Sequence, residues 1–179
     1  MKKVLVIFHS LTGTSRNVAK LLCAQQGWPM AEITTVHRRA GGWGNLLCIV
    51  DSLFHLRPPI RYDGPHPADF DAVVLISPIW LMRLASPMRS FLADRRQRLP
   101  EVAVVSVMGG TGSPDAAEEV GRWIGRPVAW STTVTAREVE DGRCAERMQA
   151  LAAVLATLGE SQEMARPVAL PLDAPRSLA

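Results

Sequence analysis

"KVLVIFHSLTGTSRN", residues 3–17, sets an apolar run against a hydroxyl-rich loop built around a single glycine. The run "KVLVIF" is nearly continuous in Val, Leu, Ile and Phe, the composition of a parallel strand covered on both faces. "SRNVAKLLCAQQG" follows, with Val18, Leu21 and Leu22 at helical spacing and Gly27 as a stop. The stretch therefore reads as strand, loop, helix, with the loop at the carboxyl end of the strand.

The same alternation continues along the chain. "DAVVLIS" at 71–77, "VAVVSVM" at 102–108 and "PVAWSTTVT" at 127–135 read as further strands, and "MAEITTV" at 30–36 as a weaker one. Helical patterns lie between them in "SPMRSFLADRRQRL" and in "SPDAAEEVGRWIG", which opens on serine and proline, and a last helix, "AERMQALAAVLATLG", closes at Gly159. Parallel strands need crossover connections, so this order predicts an α/β fold: a doubly wound, five-stranded parallel sheet with five helices distributed over both faces.

The chain has 179 residues, 47% hydrophobic and 21% charged, the size and composition of one globular domain with a sizeable core. We place that domain at 1–159 and read 160–179, with Pro167, Pro171 and Pro175, as an extended or disordered tail. A net charge of +3 comes from basic residues scattered among acidic ones, which argues against a nucleic-acid partner. No apolar stretch approaches the ~20 residues of a transmembrane helix, and a cytoplasmic location is the default expectation. Cys23, Cys48 and Cys144 lie far apart and read as ordinary buried or half-buried thiols, with no metal-ligand spacing. Between 37 and 66, a segment longer than a minimal connection contains a helix near 44–57 that is apolar on most of its circumference. It is either covered by the sheet or presents a patch to a partner. A homo-oligomer is a separate expectation.

In a doubly wound sheet the ligand sits beyond the carboxyl ends of the strands, at the point where the topology reverses. The first loop there joins a strand to a helix whose unpaired backbone amides, with the positive end of the helix dipole, can bind a phosphate. Ser10, Thr12, Thr14 and Ser15 add hydroxyls, and Gly13 allows close backbone approach. The alternative is a capped turn with no ligand. GxxxxGK[ST] is absent, as is GxGxxG with its acidic partner, so neither a nucleoside triphosphate nor a dinucleotide fingerprint is present.

"SLTGTSRN" after a first strand resembles the phosphate loop of the flavodoxin family: serine or threonine, any residue, Thr-Gly, any residue, then threonine or serine. "FDAVVLISPIWLMRLASPMRSFLADR" is similar to the third-strand stretch of flavodoxin-like FMN oxidoreductases, where a proline and an aromatic follow the strand. The resemblance runs through most of residues 3–158 and implies the strand order 2-1-3-4-5 and FMN as cofactor. It implies that Ser10, Thr12, Gly13, Thr14 and Ser15 hold the FMN phosphate. Pro78, Ile79 and Trp80 would lie beside the isoalloxazine, with Trp80 stacking on it; a core aromatic is the alternative for Trp80. Gly109, Gly110, Thr111 and Gly112 would bring backbone amides and a hydroxyl to the ring edge, if they are not simply a turn before a helix.

Two features depart from the electron-carrier flavodoxins: no aromatic lies between Val102 and Arg122, and the chain is basic rather than acidic. One flavin face would then be open to a reductant such as NAD(P)H or to an acceptor such as a quinone. An FMN oxidoreductase is the leading expectation, a flavodoxin-type carrier serving small-molecule or protein partners the second, and a scaffold that has lost FMN the third. Arg38, Arg39, Arg57, Arg61 and Arg83 could steer an anionic partner, or be solvated surface charge. His9 and His37 lie near strand ends without an assigned acid/base role, and no catalytic residue is identified.

Overall fold

The computed structural model describes residues 2–36, 57–80, 83–109 and 116–164. Residues 44–56 of the expected apolar helix lie outside the described residues, as do His37, Arg38, Arg39, Cys48, Gly110, Thr111, Gly112 and the tail beyond residue 164.

The elements in chain order are β1 (Val4–Phe8), α1 (Thr14–Gln26), β2 (Met30–Thr35), β3 (Ile60–Tyr62), β4 (Ala72–Trp80) and β5 (Arg83–Leu84). After these come α2 (Ser86–Arg95), β6 (Glu101–Met108), α3 (Ala116–Ile124), β7 (Trp130–Thr135), α4 (Ala136–Glu140) and α5 (Ala145–Met164). The parallel ladder runs β2-β1-β4-β6-β7, in the registers Val6↔Met30, Val4↔Ala72, Ala72↔Glu101 and Ala103↔Trp130. Counted over its parallel strands alone, this is the expected order 2-1-3-4-5.

β1 shows why the apolar runs are continuous. Val4, Val6 and Phe8 pack with Val18 and Leu22 of α1 and with Met148 and Leu151 of α5. Leu5 and Ile7 turn the other way, into a second core with Met88 and Phe91 of α2 and Val120 of α3. Both faces of the strand are covered, so alternation would leave polar groups buried.

Five elements differ from expectation. The sheet has two further strands, both antiparallel: β3 on the outer edge of β2, and β5 folded back on the end of β4. β3 is only Ile-Arg-Tyr, too short to carry a periodic signal. β4 runs past Ser77 through Pro78 to Trp80, and Pro78 contributes its carbonyl to the Ala85 amide at 3.2 Å. α4 opens on a capping box at Thr135, with Glu138 reaching back to the Thr135 amide at 2.8 Å. Finally, α5 continues beyond Gly159 to Met164, because an interior glycine costs a helix only about 1 kcal/mol and does not end it.

Cys23 is half-buried and Cys144 buried, as expected of structural thiols, and burial pushes the Cys23 thiol up to about 11. Among the described residues there is no cluster of three metal-ligating side chains, and no helix is long and apolar enough to cross a membrane.

Candidate functional site

β1 leads through α1 to β2 on one side of itself, whereas β4, its neighbour on the other side, leads through α2 to β6 in the opposite direction. The reversal therefore lies between β1 and β4, and the loops at their carboxyl ends flank the crevice this creates.

The loop after β1 is shaped by Gly13. Its φ of 98° lies in the left-handed region, and it is the N-cap of α1. The Gly13 carbonyl accepts the first helical hydrogen bond, from the Asn17 amide at 3.0 Å, and no side chain caps the helix. The Gly13 amide donates to Ser10 Oγ at 3.1 Å, which closes the loop on itself. Thr12 and Thr14 bring their hydroxyls to 3.4 Å of each other, and Ser15 is buried in the first turn. Ser10, Thr12, Gly13, Thr14 and Ser15 thus share one turn around an uncapped helix N-terminus, where amides and the helix dipole favour an anion.

Pro78, Ile79 and Trp80 sit within the last turns of β4 rather than after it. Ile79 pairs with Leu84 and Trp80 with Arg83, so Trp80 stands on a strand that folds back at the carboxyl end of β4. Glu119 on α3 accepts from the Leu84 amide at 3.0 Å and ties this hairpin to the helix that follows the glycine-rich segment. Nothing in the sequence marks that contact, since the two residues are 35 positions apart. Gly109 is exposed just past β6, and a Cβ there would meet nothing within 4 Å. Its role is thus not dictated by crowding.

His9 joins the two halves of the site. Its Nδ1 lies 2.8 Å from the Ile33 carbonyl, which can only accept, so the proton is on Nδ1 and Nε2 carries a lone pair. Nε2 is buried and has no hydrogen-bond partner among the described residues. The imidazole meets the Trp80 indole edge-on, with centroids 6.2 Å apart and planes at 89°. Beside it, Arg16 of α1 and Glu32 of β2 form an ion pair at 2.6 Å.

Burial lowers the His9 pKa below 6.5, against the Ile33 hydrogen bond and the Glu32 charge, which favour the protonated ring, and with Arg16, which opposes it. The unfolded chain therefore binds the additional proton first as pH falls through about 6.5. Stability that is intact above that pH is lost below it, at up to about 1.4 kcal/mol per pH unit. Urea midpoints at pH 7 and pH 5.5 are expected to differ more for the wild type than for His9→Phe; equal differences would show that His9 does not carry the effect.

No protein-family model matches the sequence, and no curated protein matches it. Solved structures do match. A flavoprotein from Lactobacillus acidophilus in complex with FMN superposes with a TM-score of 0.65 at 20% identity, over 79% of this chain and 98% of that one. The fold is flavodoxin-like. The apo-form of the Lactobacillus flavoprotein matches with a TM-score of 0.55 at 17% identity, over 75% of this chain and 92% of its own. A protein from Bacteroides eggerthii, provisionally described as a flavoprotein, gives 0.61 at 18% identity, over 79% and 95%. The flavodoxin-like order accounts for the crevice beside β1, while the antiparallel β3 and β5 lie outside the five-stranded parallel core.

Proposed function

We infer that the protein binds FMN between the β1–α1 loop and the end of β4 and works as a redox flavoprotein. The observation that carries this reading is the uncapped N-terminus of α1, opened by Gly13 in the left-handed conformation at the topological switch point. The residues fit the group: the first-turn amides and the hydroxyls of Ser10, Thr12, Thr14 and Ser15 would hold its phosphate, and Trp80 would give the ring an apolar face. Gly109 with Gly110, Thr111 and Gly112 would supply donors to the ring edge. Bound FMN supplies reversible transfer of one or two electrons, while the chain anchors, orients and sets the polarity around it.

Between the enzyme and carrier readings we favour an oxidoreductase taking electrons from NAD(P)H or another reductant and passing them to a quinone or other acceptor. The absence of an aromatic from Val102 to Arg122 supports an exposed ring face. The test is an absorbance spectrum of the purified protein with FMN added and the excess removed, followed by NADPH without air. Retained yellow colour that bleaches is the expected result. Retained colour that persists would favour a carrier fed by a protein partner, and no retained flavin would overturn FMN binding altogether.

A further inference from the structure

Among the described residues nothing donates to the buried Nε2 of His9. An acceptor covered from water without a donor is costly to keep, and folded proteins nearly always supply one. Here Nδ1 is already committed to Ile33, and no described residue donates to Nε2, so its lone pair is open to a donor carried by a ligand.

Its place in the fold indicates which donor. His9 directly precedes Ser10, whose hydroxyl closes the anion loop on Gly13, and its ring abuts Trp80 on the other side. Adjacent to the loop in sequence and in ring contact with Trp80, His9 is placed where a ligand with a phosphate on the loop and an aromatic ring against Trp80 would carry its connecting chain. A neutral imidazole lone pair at that point recognises a hydroxyl, which can donate, and gives nothing to an alkyl linker.

We propose that His9 Nε2 accepts a hydrogen bond from a hydroxyl of the polyol chain between the phosphate and the ring, making His9 a specificity residue for hydroxylated linkers. The proposal rests on the FMN reading and deepens it. Because Nε2 is covered, a hydroxyl reaches it only if a group packed around the imidazole shifts, and the Trp80 indole is one of those neighbours.

The experiment compares FMN with lumiflavin, which has the same ring and no polyol chain or phosphate, by fluorescence titration of wild type and His9→Phe. FMN affinity is expected to fall about tenfold in His9→Phe, the loss typical of one hydrogen bond to a buried acceptor, with lumiflavin affinity unchanged. Equal weakening of both flavins would overturn the proposal and reduce His9 to packing against Trp80; so would no change in either. Should His9→Phe fail to fold, the wild type with 15N-labelled histidine decides: addition of FMN should move the Nε2 resonance of His9, and an unmoved resonance refutes the contact. Failure of the wild type to bind FMN at all is a different result, and it removes the underlying functional reading.

Discussion

Replacing Phe91 by alanine is expected to destabilise the fold by about 3–5 kcal/mol, the cost of removing a fully enclosed aromatic ring and leaving a cavity. Phe91 is completely buried in the core between α2 and the sheet. Its ring lies 5.1 Å from that of Tyr62, tilted by 56°, so it also holds the short edge strand β3 against the helix. Arg95 covers both rings, at 5.2 Å and 5.0 Å from their centroids, but a partly exposed cation adds only about 0.5–1 kcal/mol. Packing therefore dominates. Against a total stability of about 5–15 kcal/mol the loss is severe, and a melting temperature lower by about 6–20 °C should accompany it. Urea denaturation of wild type and Phe91→Ala measures it directly. A loss below about 1 kcal/mol would mean that α2 is not seated through this ring.

The parts of the fold visible in the sequence were those whose signal is local and sustained. β1, β4 and β6 declared themselves because both their faces are buried, and a strand covered on both sides needs no polar residue for several positions. The end of β4 was hidden by Pro78, a residue that ordinarily closes a strand, and β5 by its length of two residues. α4 had a readable marker in Thr135 and Glu138, three apart as a capping box requires, but its five residues carry no apolar period to draw attention to them. In the site, Gly13 and the surrounding hydroxyls were legible because a loop's chemistry is contiguous. His9 carries no role legible in the sequence, since its contacts are with Ile33 and Trp80, far along the chain. The Arg16–Glu32 pair depends in the same way on strand pairing that brings β2 beside α1. Only tertiary structure supplies such partners.

Gly13→Ala is expected to cost about 1–2 kcal/mol of stability and, on the proposed reading, to weaken FMN binding at least about tenfold. No atom lies within 4 Å of a Cβ built at Gly13, so the substitution meets no steric wall. The cost is conformational: at φ 98° an alanine is strained, and relaxing it rotates the peptide units that open α1. Those units carry the amides that would face the phosphate, and an anion site made of backbone donors loses strength when they are re-aimed. Gly27→Ala provides the control. Gly27 also has a left-handed φ, of 68°, and open space around its Cβ, but it closes the other end of the same helix. Its replacement should cost comparable stability and leave FMN affinity within about twofold, an energy difference under 0.5 kcal/mol. Titrating both variants with FMN, after checking by thermal melting that both are folded, separates strain from ligand anchoring. Equal affinities in Gly13→Ala and Gly27→Ala would place the phosphate somewhere other than the β1–α1 loop, because two equally strained ends of one helix would then have proved equivalent to the ligand.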